Sequence, residues 1–437
     1  MKRSIYGISA FIAGVLASCS LSGVSRANDI LLDAEGESAV PTVESVMESA
    51  KVETAPAAES IQAETTAVST TTAQAATETV PAETAAPVMV YQVKPERRFE
   101  FSGNAFATWW DGFGAGNSLN LDQIWLTGER AIDTETYGFD WGYRVDALFG
   151  TNDARCFNDG GFDGNWNPSN DGYVPSIYQI YAEVGVGNFS LKVGKFGTLI
   201  GYESVDVSDR LFNSTSYMYD HEPSTHCGGL LTYDMTEKLS FNFGITTGSD
   251  TSFENEDGDI GFLFGVGYQL TDSFYVGYAA HWASIHGGED GDRSNNSYDY
   301  YDVFGGEPVG DHDEYLHTVT ISWDITDRFN YSFVTNYGSM TPEYADSSVY
   351  DQFGIANYFS YELTEKLTLA LRYEWFNQSA EIEGETADAN YHDLSLGAVY
   401  RPTENIMIRP EIRYDWINEM GEEDEGFAGG IGVGFFF

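Results

Sequence analysis

A period of two constrains this chain more than any other feature. In Tyr361 to Trp375, YELTEKLTLALRYEW, the residues Leu367, Leu369, Leu371, Tyr373 and Trp375 share one face, while Thr368, Ala370, Arg372 and Glu374 share the other. A helix would scatter these side chains around its axis, whereas an extended strand sorts them. Related frames recur around Met235 (DMTEKLSFNF), Leu270 (QLTDSFYVGY), Ile325 (DITDRFNYSF) and Pro402 (RPTENIMIRPEIRYDW). Each reads as a Thr-acid turn followed by an alternating strand, which makes the repeat a series of hairpins. With short turns at one end and long polar loops at the other, the pattern predicts an all-β, transmembrane antiparallel β-barrel with its short turns in the periplasm.

The alternation predicts strands over 99–110, 119–131, 137–149, 176–186, 189–197, 226–235, 238–247, 260–270, 273–284, 314–325, 328–338, 349–362, 365–377, 390–401, 404–417 and 427–437. That is about 16 strands, and an even number returns both chain ends to the side of the short turns. The long connections, 150–175, 198–225, 285–313, 339–348, 378–389 and 418–426, then lie outside and are dense in Asp, Glu, Asn and Gly.

Composition agrees with this architecture. The 437 residues include 28 Tyr, 28 Phe, 9 Trp and 46 Gly, which favours strands, interfacial aromatics and turns. A mean hydropathy of -0.28 suits a barrel, because only the outward half of each strand has to be apolar. Past residue 30 no apolar run is long enough for a spanning helix. The net charge of -47 disfavours nucleic acid as a partner and favours small cations and a solvated surface.

Lys2 and Arg3 precede an apolar core from Ile5 to Leu16 and a small-residue site ending at Ala27, so 1–27 reads as an export signal. Leu16-Ala17-Ser18-Cys19 offers an alternative, a lipobox that would leave Cys19 lipidated. Residues 28–98 are rich in Ala, Thr, Glu and Pro and carry no aromatic before Tyr91, which reads as an acidic disordered tether. Residues 99–437 form the barrel, placed in the bacterial outer membrane. Its last strand alternates Ile431, Val433, Phe435 and Phe437 with Gly430, Gly432 and Gly434. That set resembles the C-terminal signature by which outer-membrane barrels are recognised by the barrel-assembly machinery.

The stretches VGKFGTLIGYES (Val193 to Ser204), NSTSYMY (Asn213 to Tyr219) and EPSTHCGGLLTY (Glu222 to Tyr233) resemble the OmpL-like β-barrel porin family. The likeness extends more loosely across 99–437. Ser224 stands where an aromatic is more usual, and Cys227 where Thr is. The resemblance implies a transmembrane barrel and a porin, and it implies no particular substrate.

Inward parity collects Arg144, Lys192, Arg372, Glu374, Arg409, Glu411, Arg413 and Asp415, with Asp140 and Asp146, as candidate pore-lining charges. Such charges need water or mutual pairing. The connection 198–225 is too long for a simple link. Folded inward it would narrow the lumen and supply Glu203, Asp206, Asp209, Asp220 and Glu222 as an acidic edge against Arg210. Trp109, Trp125, Trp141, Trp323, Trp375 and Trp416 are expected in two interfacial belts. Cys156 and Cys227, left in an oxidising compartment, are expected to pair as a disulfide.

The acidic stretches Asn255 to Gly261 and Gly287 to Arg293 have calcium-loop spacing without the full ligand set, so no metal is assigned. The histidines 221, 226, 281, 286, 312, 317 and 392 invite a surface-hydrolase reading. No GxSxG, HExxH or paired-cysteine motif supports it, so no catalytic residue and no cofactor are assigned. The leading reading is a porin that passes small solutes or cations by passive diffusion, in contact with outer-membrane lipid and with scope for a homo-oligomer. The alternatives are a structural or adhesive surface protein anchored by a barrel, and a soluble secreted β-rich protein binding calcium or glycan.

Overall fold

The computed structural model describes residues 99–437 apart from 115, 152–173, 252, 254–257, 286–311, 343–348 and 383–384. The signal segment, the tether, Cys19, Cys156 and the cluster Gly287 to Arg293 lie outside the described residues, as do Asn255, Glu256, Asp257 and His286.

Sixteen strands form one sheet: β1 (Glu100–Gly112), β2 (Ser118–Arg130), β3 (Phe139–Gly150), β4 (Val174–Val186), β5 (Phe189–Gly197), β6 (Thr225–Thr236), β7 (Leu239–Thr246) and β8 (Ile260–Thr271) come first. They are followed by β9 (Phe274–Ile285), β10 (His312–Thr326), β11 (Phe329–Pro342), β12 (Val349–Thr364), β13 (Leu367–Ile382), β14 (Glu385–Thr403), β15 (Ile406–Glu419) and β16 (Glu422–Phe436). Each strand runs antiparallel to its sequence neighbours, and β1 closes the barrel on β16, from Asn104 opposite Phe436 to Gly112 opposite Ala428. Closure leaves no edge, which is the condition for a sheet to sit in lipid. Phe437 completes the seam, donating its N–H to the Gly103 carbonyl at 3.0 Å and accepting from Gly103 N–H at 3.1 Å. No helix of the described residues is long and apolar enough to cross a membrane.

The recurrent Thr-acid turns have a shared cause. Thr236, Thr271, Thr326 and Thr364 each accept, on the side-chain hydroxyl, the N–H of the residue two positions on, at 3.1 to 3.4 Å. The hydroxyl closes the turn on its own backbone, and the ladder slips by one residue beside each of these threonines.

Two of the expected long outer loops are strands instead. Residues 378–382 and 385–389 extend β13 and β14, and 418–426 extend β15 and β16 about a turn at Met420 and Gly421, whose φ angles are 50° and 90°. Two successive positive φ values give a turn whose twist matches the hairpin. These strand ends are rich in Asp and Glu because they need no apolar outer face beyond the bilayer. Conversely, 247–259 is a connection between β7 and β8 that the strand spacing did not single out as long.

Outward positions are apolar and exposed, such as Leu369 and Leu371, while Ala370, Arg372 and Glu374 between them are buried. Trp109, Trp141 and Trp323 face out at the strand ends, and Trp375 and Trp416 flank His392 in one row across β13 to β15. Trp125 departs from the expected belt. It is 4% exposed and turns inward against Leu148, Val205 and Tyr219.

The topology predicts that a cysteine at Met420 reacts with a membrane-impermeant thiol reagent on intact cells and that one at Lys366 does not, both in a Cys156→Ser, Cys227→Ser background. Labelling at 366 alone would mean the barrel is inserted the other way up.

Candidate functional site: a loop held inside the barrel

The connection between β5 and β6 carries more apolar residues than a solvated loop needs: Ile200, Val205, Val207, Phe212, Met218 and Tyr219 are all at most 6% exposed. Each meets inward side chains of the wall. Ile200 packs with Phe196, Leu230, Leu263, Ala279 and Leu316, and Val205 and Tyr219 pack with Trp125 and Leu148. Val207 meets Phe106 and Met407. Phe212 and Met218 meet Val334, Ala356, Tyr358, Ala370 and Phe376. These partners belong to strands on opposite sides of the closed barrel, so the loop crosses the lumen. At Gly354 a Cβ would lie 2.4 Å from the Met218 Cγ and Sδ, and the bare backbone there makes room for the methionine.

A backbone taken out of water must have its polar groups paired, and charged wall residues pair this one. Arg372 donates to the Ser214 and Thr215 carbonyls at 3.0 and 3.1 Å, to Glu203 at 2.9 Å and to Asp393 at 2.5 Å. Arg409 donates to the carbonyls of Val207 and Arg210 at 2.8 and 2.6 Å and to the Asn213 side chain at 2.9 Å. Arg413 holds the Thr215 carbonyl at 2.6 Å and Asp415 at 2.7 Å. The carboxylates take the N–H groups: Glu374 accepts from Tyr217 and Met218, both at 2.7 Å, and Glu411 from Asn213 at 2.6 Å and Ser214 at 3.1 Å. Glu411 also accepts a short bond from the Ser214 hydroxyl. Charge-assisted bonds of this kind are the strong class.

Of the expected pore-lining residues, Arg372, Glu374, Arg409, Glu411 and Asp415 point inward as parity requires and are buried against the loop, away from the two cavities that border it. Arg413 reaches the edge of one cavity. Arg144 and Lys192 border another, with Arg144 paired to Asp146 at 2.8 Å and Lys192 set over the Tyr181 ring at 4.9 Å. Asp140 is buried against Arg130 at 3.0 Å.

Of the loop candidates, Glu203, Asp206, Asp209, Arg210 and Glu222 line one cavity and Asp220 another, and most of them are held by hydrogen bonds. Glu203 accepts from Arg372, Tyr358 and Ser216 N–H. Asp206 accepts from Asn104, Gln123 at 2.6 Å and Ser208 N–H, and Asp220 accepts from Thr215 at 2.7 Å. Arg210 staples the loop to itself, donating to the Ser204 and Val205 carbonyls and to the Tyr219 hydroxyl. Asp209 is exposed. Glu222 is 7% exposed, with Asn336 donating to it at 2.9 Å. Burial pushes its carboxyl up to about 8, with Glu203 and Asp220 adding to the rise and the Asn336 bond opposing it.

Two cavities border the loop. One of about 400 Å³, towards the outer ends of β1 and β2, is lined by Thr108, Trp110, Asn120, Asp122, Asn213 and Thr215 among others. The second, about 570 Å³, is lined by Trp125, Arg144, Lys192, Glu203, Asp206 and Asp209 among others. Arg210 lines both.

Sequence reasoning missed the apolar anchors Phe212 and Met218, although a run of apolar residues in a long outer loop was the available signal. It also missed a buried polar group at the outer ends of β6 to β10. There Ser249 donates to Glu314 at 2.8 Å and lies 3.2 Å from His281, and His226 bonds Thr198 and the Gly248 carbonyl. Among the described residues no group of three or more His, Cys, Asp or Glu is placed to hold a metal ion. Cys227 is buried, opposite Lys195 in the ladder. The disulfide expected with Cys156 involves a residue outside the described ones.

The fold has solved counterparts. A loop-deletion mutant of OmpT, an outer membrane protein of Vibrio cholerae, aligns with a TM-score of 0.52 at 12% identity, covering 78% of this chain and 99% of its own. OmpT expressed in the outer membrane of the same organism gives 0.52 at 13%, with 79% and 99% covered, and its trimer form gives 0.52 at 13%, with 78% and 99%. At these identities the likeness shows the fold alone. No curated protein matches the chain. A family model described as "Putative beta-barrel porin-2, OmpL-like" matches residues 101–437. That match spans the whole barrel, loop and clamp included, and the chain therefore belongs to the OmpL-like β-barrel porin family and is a porin of the bacterial outer membrane.

Proposed function

We propose that this porin passes small polar solutes and ions by passive diffusion, without chemistry and without a cofactor, through a lumen that the inward loop narrows at Arg210. The observation that carries this reading is the pair of polar-lined cavities meeting at that residue. The fixed loop sets the size limit, and the acidic chain raises the local cation concentration at the mouth. Arg144 and Lys192 work against full exclusion of anions, so the preference for cations is modest and fades with salt. A structural or adhesive role, with the barrel as an anchor, is supported instead by how much of the lumen the loop fills.

The partners follow from the same reading. Segment 1–27 directs export and 28–98 forms an acidic periplasmic tether, the strand ending at Phe437 engages the barrel-assembly machinery, and the trimer form of V. cholerae OmpT supports a homo-oligomer.

Planar-bilayer recording on refolded protein separates the two roles. Stepwise conductance with a cation-side reversal potential at low salt is expected, and a sealed barrel would select the anchor role. The clamp gives a second expectation. Arg372→Ala leaves Glu203 buried without its cation and Asp393 with only Arg413 at 3.8 Å, which costs about 3–5 kcal/mol, and should yield larger, noisier current steps with a lower urea midpoint.

Glu222 gives the third. A carboxyl held above its unfolded value favours the folded loop at low pH, and that contribution fades as pH rises from the unfolded value near 4.5 through about 8. Raising pH from 7 to 9.5 should therefore charge Glu222, loosen the loop and strengthen cation preference. Glu222→Gln should flatten that response, and an unchanged pH profile in the variant would contradict the assignment.

A further inference from the structure

We propose that the outer cavity is a binding site for a neutral polyhydroxylated solute of the sugar class, with Trp110 as its platform. The inference deepens the porin reading and takes its solute path from it.

Trp110 is half-buried on the inner face of β1, directly opposite Gly430 of β16. A Cβ at 430 would lie 2.3 Å from the Trp110 Cε3 and 3.1 Å from its Cζ3. Glycine at 430 thus lets the indole ring rest against bare backbone, and the ring borders the 400 Å³ cavity. Beside it the Ser118 hydroxyl and the Asn120 amide, which both donate and accept, line the cavity outside the clamp, while Asn213, Ser214 and Thr215 on its far side are engaged in holding the loop.

The charges at this cavity are balanced and engaged. Asp122 accepts from Thr108 at 2.5 Å and Asp220 from Thr215 at 2.7 Å. Arg413 is held by Asp415 and the Thr215 carbonyl, and Arg210 by loop carbonyls and Tyr219. The lining holds two carboxylates and two guanidinium groups, so its formal charges cancel and favour neither an anion nor a cation. What is left for recognition is an aromatic face with a hydroxyl and an amide beside it, Ser118 and Asn120. An aromatic face suits the C–H side of a pyranose ring, and hydroxyls and amides suit its rim of O–H groups. A volume of about 400 Å³ lies within the range of small-ligand sites.

The test pairs two readouts on the refolded barrel in a sugar-free detergent, with maltose as the probe. Titration calorimetry should show saturable maltose binding, weakened about tenfold or more in Trp110→Ala. Trp110→Phe, which keeps an aromatic face, and Trp109→Ala, whose ring faces lipid, should bind as the parent does. Asn120→Ala gives a second weakened variant should Trp110→Ala not fold. In bilayers maltose should reduce the ionic current over the same concentration range, while succinate and tetramethylammonium should not compete with it. Ionic conductance with no maltose binding would overturn the sugar assignment and leave the porin reading intact. Maltose binding in a barrel that carries no current would do the reverse. Equal binding by the parent and both weakened variants, or displacement by succinate, would overturn the site.

Discussion

Inside this barrel the decisive interaction is a set of charge-assisted hydrogen bonds between wall side chains and the backbone of one loop. Arg372, Arg409 and Arg413 take its carbonyls, and Glu374 and Glu411 take its N–H groups. A loop moved from water into a lumen loses solvent partners for every peptide group, and each unpaired group costs about 1–3 kcal/mol. The ion-bearing strands β13 and β15 supply those partners. Two of these charges also have a fixed opposite neighbour, Asp393 for Arg372 and Asp415 for Arg413, which offsets part of the cost of burying them.

The clamp determines what the apolar contacts can do. Phe212 and Met218 sit among Ala356, Ala370 and Ala389, small residues that leave space on the inner wall. Their burial adds hydrophobic stabilisation only because the polar backbone between them is already satisfied. With the loop fixed at both kinds of contact, the remaining free space divides at Arg210. Its guanidinium is tied to carbonyls of its own loop, which places a rigid partition where a mobile side chain would otherwise stand.

Much of the fold was legible in the sequence because a strand's period of two survives any change of side-chain identity. All sixteen strands, their antiparallel order and the seam at Phe437 follow from that alternation. The Thr-acid repeat was visible as a pattern, and its physical basis is the threonine hydroxyl closing the turn. The strand ends at 378–389 and 418–426 were hidden because, above the bilayer, both faces of a strand become polar. The inward direction of Arg372 and Glu411 was legible from parity. Their role was not, because parity says which way a side chain points and is silent on what it meets. Trp125 shows the same limit. Its composition class belongs to the interface, and the contact with Val205 and Tyr219 that keeps it inside comes from a loop distant in sequence.

The central claim, that the loop between β5 and β6 is held within the lumen, is tested most directly by a cross-link at its deepest contact. In the double variant Met218→Cys, Gly354→Cys, the new side chains replace a methionine Cγ and a Cβ position that lie 2.4 Å apart. In a Cys156→Ser, Cys227→Ser background, the account predicts that mild oxidation of the folded barrel closes an intramolecular disulfide, detected by mass mapping. Two free thiols at 218 and 354 in folded, oxidised barrel would place the loop elsewhere and contradict the account.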